Sequence, residues 1–383
     1  MRSSVSIVKV NNYHEEEVRM GLLKSIDLIG GIDHFVKRGD RVLLKPNLLY
    51  GKAPEKAVTT HPSILRGLIP IVRDAGGIPF IGDSPSIGSL DRAAEKAGIK
   101  KVAEETRCPL LEFNSPILSE KGRGRFFKQL EIDQEVARAD VVINLPKWKT
   151  HGMMLLTLGV KNLFGCIPGP RKALWHLNSG RDRKIFAQVL VDLYQTVQPS
   201  LTILDGIFGM EGNGPGSGTP IPLGLILASE DALSVDLVVC DLLGISRKSL
   251  PTNRVALEEG IASDPIEIVG ERVEDVRIPY FKFPPPSEPD WNLPGFIRRV
   301  LRRALTSKPI FEEGLCDSCD RCIGVCPPGA LTRNGKELVF DYEKCIRCFC
   351  CQEVCPSGAI TIQPGWALKL VSRKEKVERG PSR

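Results

Sequence analysis

Apolar runs rich in β-branched residues alternate with amphipathic stretches along the first 270 residues. Val5–Val10, Arg41–Lys45, Ile78–Ile81, Val141–Leu145, Leu201–Leu204 and Leu223–Ala228 read as strands, with Arg41–Lys45 a buried one ending at Pro46. Val18–Val36, Pro62–Ala75, Ser89–Ala97, Lys184–Gln195 and Ala232–Leu243 read as helices, most clearly where apolar residues recur at helical spacing. Thr60 and His61 stand near the cap of the second helix, and Gly76-Gly77 mark its stop. Such alternation predicts an α/β fold with an open, mostly parallel sheet over residues 1–270.

The pattern changes over residues 271–309. A proline-rich stretch around Pro284, Pro285 and Pro286 is expected to be an extended linker. Pro294–Leu305 then reads as an amphipathic helix, with Phe296, Ile297, Val300, Leu301 and Ala304 on one side. Arg298, Arg299, Arg302 and Arg303 take the other side. That face suits packing on the α/β domain, or contact with an acidic partner or a membrane surface. Residues 364–383 form a basic tail that is expected to be disordered.

Residues 310–363 are dominated by cysteine spacing. Cys316, Cys319, Cys322 and Cys326 follow C-x2-C-x2-C-x3-C, and Cys345, Cys348, Cys351 and Cys355 repeat it; Pro327 and Pro356 come next. An iron–sulfur cube needs four thiolates converging on one small body. Three closely spaced cysteines wrap a cube in one loop, and the fourth ligand comes from the other copy. Cys316, Cys319, Cys322 and Cys355 are thereby assigned to one 4Fe–4S cluster, and Cys345, Cys348, Cys351 and Cys326 to a second. Zinc sites favour separated C-x2-C pairs, and disulfides need an oxidising compartment. Cys350, Cys108 and Cys240 read as small packed side chains, and Cys166 as the one candidate reactive thiol. Strands are expected near Phe311, Leu331, Leu338–Phe340 and Ile360–Ile362. The segment resembles bacterial two-cluster ferredoxins, small α+β domains that pass electrons.

Composition narrows the setting. No apolar run approaches a membrane span, and no signal peptide is evident, so a reducing, cytoplasmic location is expected. The net charge of +6 comes without an aromatic-basic platform, which argues against nucleic acid as a partner. There is no P-loop, no haem-attachment C-x-x-C-H and no C-x3-C-x2-C radical triad.

Ligands of open α/β sheets bind beyond the C-terminal ends of strands. Four such ends carry polar residues here. The first offers Lys45 and Asn47, with His61 further on as helix cap or ligand contact; the second offers Asp83 in Gly82-Asp83-Ser84-Pro85-Ser86. The third is richest: Lys147, Lys149, His151, Lys161 and Asn162 could neutralise a phosphate or carboxylate, with His151 as proton donor and Lys147 beside it. The fourth offers Asp205 and Glu211, followed by a glycine-rich loop that fits no dinucleotide fingerprint. The runs N-L-P-K-W-K-T-H-G, T-L-G-V-K-N-L-F-G and D-G-I-F-G-M-E-G-N-G-P resemble the domain-of-unknown-function family 362 over roughly residues 5–270. The resemblance implies a common fold and cleft, and no established reaction. The expectation is an iron–sulfur oxidoreductase passing electrons from a redox partner protein to a substrate or second cofactor held by the α/β domain, whose basic cleft suits an anionic substrate or an acidic electron carrier. An electron-transfer adapter and a redox or iron sensor are the alternatives.

Overall fold

The computed structural model describes residues 3–119, 124–169, 171–262, 265–285 and 306–365. The basic helix expected over Pro294–Leu305 and most of the basic tail lie outside these residues. The first part of the chain forms strands β1 (Ser4–Lys9), β2 (Arg41–Pro46), β3 (Ile78–Asp83), β4 (Leu110–Glu112), β5 (Pro116–Leu118) and β6 (Glu131–Asp133). There follow β7 (Val141–Leu145), β8 (Lys147–His151), β9 (Leu155–Thr157), β10 (Leu201–Glu211), β11 (Thr219–Ser229) and β12 (Glu267–Gly270). The main sheet runs β12-β1-β11-β10-β7-β2-β3-β4, with β8 and β9 branching from β10. Pairing is parallel except where β11 meets β1 and β10, and where β9 meets β8. It is the expected α/β architecture with a mixed, mostly parallel sheet.

The alternation of side chains along β2 shows why the sheet is buried twice. Leu44 packs with the helices Glu15–Asp27 and Pro62–Asp74, through Leu22, Ile26, Leu65 and Leu68. Its neighbour Leu43 points to the opposite face, toward Phe186 and Leu190 of the helix Arg183–Val197. The helix expected over Val18–Val36 is two elements, Glu15–Asp27 and Ile32–Phe35, parted at Gly30 and Gly31. Leu201–Leu204 extends to Glu211, because β11 pairs along the whole of the longer strand as a hairpin.

The cysteine-rich segment forms β13 (Lys308–Phe311), β14 (Leu331–Asn334), β15 (Glu337–Phe340) and β16 (Ile360–Gln363). They pair as two antiparallel ladders, β13 with β16 and β14 with β15. Two short helices, Arg321–Gly324 and Cys350–Glu353, carry Cys322, Cys350 and Cys351. This module is docked on the sheet. Phe349 and Ile362 enter the apolar core that contains Leu43 and Phe186. Ser217 Oγ donates to the Cys355 carbonyl at 3.0 Å, Lys52 Nζ to the Pro356 carbonyl at 3.0 Å, and Arg181 Nε to the Cys345 carbonyl at 3.1 Å. Gln352 Nε2 donates to Asn213 Oδ1 at 2.7 Å and to the Gly214 carbonyl at 3.0 Å.

Candidate functional site

The strands β2 and β3 end side by side, and each delivers a charged side chain where the sheet stops. Lys45 Nζ bonds Asp83 Oδ1 at 2.9 Å and the Pro46 carbonyl at 3.0 Å. Asp83 Oδ2 accepts from the Leu48 N–H at 3.0 Å. Gly165 lies against this pair; a Cβ there would come 2.0 Å from Asp83 Oδ1, so only glycine fits. Asn47 Nδ2 donates to Asn162 Oδ1 at 2.8 Å, and Asn47 Oδ1 accepts from Lys149 Nζ at 2.6 Å. Lys149 also reaches the Val58 carbonyl at 2.6 Å, and burial pushes its pKa down to about 7.

These residues line one side of a cavity of about 600 Å³, large enough for an organic molecule of some size. The opposite wall belongs to the cysteine module: Arg321, Gly324 and Val325 from one motif, and Cys350, Glu353 and Val354 from the other. A third wall is the helix Arg171–Ser179 with the segment Ser84–Gly88. Lys172 Nζ joins them by donating to the Ser84 and Pro85 carbonyls, and burial lowers its pKa to about 7.

His151 sits at the junction of the two halves. Its Nδ1 accepts from the Met153 and Met154 N–H groups at 3.1 and 3.2 Å, which puts the ring proton on Nε2. Nε2 lies 2.7 Å from Glu353 Oε1. Burial lowers the His151 pKa; it would raise that of Glu353, but His151, Lys161 and His176 override it and hold the carboxyl at about 2. His151 and Glu353 thus make a close contact between the two halves, without meeting hydrogen-bond geometry.

Lys45, Asn47, Asp83, Lys149, His151, Lys161 and Asn162 thus meet around one cavity. Lys147, His61, Asp205 and Glu211 do not line it. Lys147 faces Asp205 across the β8–β10 register and bonds it at 2.9 Å, with Tyr13 Oη 2.6 Å away. His61 caps its helix, accepting from the Ser63 N–H at 3.2 Å, while its ring stacks on Tyr13 at 3.5 Å. Glu211 accepts from the Lys282 N–H at 2.8 Å. Cys166 is buried, which raises its thiol pKa to about 12, so it lacks the thiolate of a reactive cysteine.

Lys172, His176, Thr157, Arg321 and Glu353 line the cavity and were not singled out by sequence. One signal was available: Lys172 and His176 are four residues apart on one helix, so they share a face. Glu353 offered none, since its neighbours Cys351 and Cys355 dominate the pattern.

Cys316, Cys319, Cys322 and Cys355 line a second, smaller cavity within the cysteine module. Cys351 lies within electrostatic reach of Cys348, Cys345, Cys326 and Cys322. Each set draws cysteines from both motifs.

A family model described as domain of unknown function, DUF362, matches residues 42–241. A 4Fe-4S dicluster domain matches residues 308–356. A curated protein of Synechocystis sp., named as thylakoid-associated, is 37% identical over 318 residues, covering 79% of this chain and 94% of its own. Two solved structures are distant. One, a Thermotoga maritima protein, has a TM-score of 0.37 and 12% identity, covering 59% of this chain and 57% of its own. The other, the lactate racemase apoprotein of Thermoanaerobacterium thermosaccharolyticum, has a TM-score of 0.42 and 10% identity, covering 61% of this chain and 56% of its own. Among the described residues, no helix is long and apolar enough to cross a membrane.

Proposed function

The chain belongs to the DUF362 family and carries a 4Fe-4S dicluster domain, and from that premise we propose an iron–sulfur oxidoreductase that reduces a molecule held in the 600 Å³ cavity. One observation carries the reading: the wall opposite Lys45 and Lys149 is built by the cluster-binding motifs themselves. Two 4Fe–4S clusters are proposed, the first held by Cys316, Cys319, Cys322 and Cys355, the second by Cys345, Cys348, Cys351 and Cys326. When bound, they supply one-electron transfer at low potential. The protein's own residues do the rest. Lys149, Lys161 and Lys172 make the cavity attractive to an anion. The His151–Glu353 contact keeps the electron-carrying module against the sheet.

Anaerobic purification with mass spectrometry of the copurifying small molecule would identify the occupant. That molecule should reoxidise the dithionite-reduced protein in a single turnover. Ala173→Trp, which puts an indole into the cavity, should slow this while ferricyanide oxidises both proteins alike. Equal rates in the two proteins would move the chemistry to a docked partner enzyme, the adapter arrangement. The relative's thylakoid name supports a position at a membrane surface, with Arg298, Arg299, Arg302 and Arg303 as the contact. Cosedimentation with anionic but not neutral vesicles would support it.

A further inference from the structure

Resting on that reading of the cavity, we propose that it takes a molecule with a ring-sized apolar body and one anionic group (carboxylate, phosphate or sulfonate) seated on Lys161. The partners of the amines point there. Lys45 is held by Asp83, Lys149 by Asn47 and the Val58 carbonyl, and Lys172 by the Ser84 and Pro85 carbonyls. Lys161 makes no hydrogen bond or ion pair among the described residues. Its ammonium rests over the rings of Phe164 and Phe186, at 5.0 and 5.6 Å. The nearby Glu353 is already engaged by His151. An ammonium in partly dry surroundings, without an oxygen partner, is the natural seat of an anion.

The rest of the lining describes the body of the ligand. Leu49, Ile87, Phe164 and Val325 make much of the wall apolar. A small acid would leave most of 600 Å³ unfilled and those side chains wet. Thr157 and His176 add polar character to this otherwise apolar lining.

Equilibrium dialysis of the oxidised holoprotein tests this with two probes that share one aromatic body. Anilinonaphthalene sulfonate carries the anion, and phenylnaphthylamine does not. Wild type should bind the sulfonate roughly 10- to 100-fold tighter, the range expected of one charge-assisted hydrogen bond. Lys161→Met should remove most of the difference, Lys161→Arg should restore most of it, and Ala173→Trp should weaken both probes. Equal affinities in wild type, or an undiminished sulfonate preference in Lys161→Met, would overturn the proposal. So would binding undiminished by Ala173→Trp, which would put the probe on the outer face near Leu174 and Leu177. Dialysis moves no electron, so the outcomes separate. Lys161-dependent selectivity without single-turnover reduction keeps the ligand class and removes the redox reading.

Discussion

Lys149 and Lys172 set the first expectation, because burial brings both to about 7. Below that pH both carry charge; above it both lose it. Lys161, lowered in the same sense by burial, adds to the effect. The other titratable groups facing the cavity work differently. Lys45 is held by Asp83 at 2.9 Å, and Cys350 is pushed well up by its bond to Cys348 and by burial. His176, at about 3, stays neutral; Glu353, at about 2, stays ionised; and His151 is held low. Affinity for the anionic probe should therefore fall as pH rises from about 6 to about 8, while the uncharged probe is unaffected; dialysis across that range measures both. The His151–Glu353 contact gives a second expectation. Glu353→Ala removes the carboxylate that lies 2.7 Å from the buried Nε2–H and should cost about 1–3 kcal/mol. Glu353→Gln keeps an acceptor and should cost less. The temperature at which cluster absorbance is lost reports both. Seven site residues were legible because parallel strands end together and polar residues there have few other uses. Lys147 was not, since only the register that sets it opposite Asp205 shows it already paired.

The loop joining β10 to β11 shows what an element can hide. Its glycines permit close backbone approach, and it fits no dinucleotide fingerprint. The approaching group is the cysteine module: a Cβ on Gly216 would come 2.5 Å from the Glu353 carbonyl oxygen and 2.5 Å from Tyr50 Oη. No periodicity reports a contact between segments so far apart in the chain. Gly216→Val should loosen the docking. Amide hydrogen exchange should quicken over residues 349–354 and 148–153, with cluster absorbance unchanged. Unaltered exchange would mean that the loop does not hold the module. The helix Arg171–Ser179 was missed for a different reason: its buried face carries Lys172 and His176, so it lacks the apolar stripe that marks a helix.

At the scale of the molecule, the cavity exists only while both halves are folded. Its far wall is formed by the cysteine module, whose shape the proposed clusters would reinforce. Removing iron with a chelator under reducing conditions should abolish selective sulfonate binding and release the wall. The far-ultraviolet circular dichroism of the sheet should largely remain, because Leu43, Leu44 and their neighbours are buried without it. Simultaneous loss of both signals would mean one cooperative unit. The β13–β16 ladder carries a further consequence. Lys308 pairs with Gln363, so the chain comes into the module and leaves it on the same rung. The module is thus a plug on a closed stem. Lengthening the chain on either side of that stem leaves the cavity wall where it is, and a different plug on the same stem could change the source of electrons without reshaping the chamber they reach.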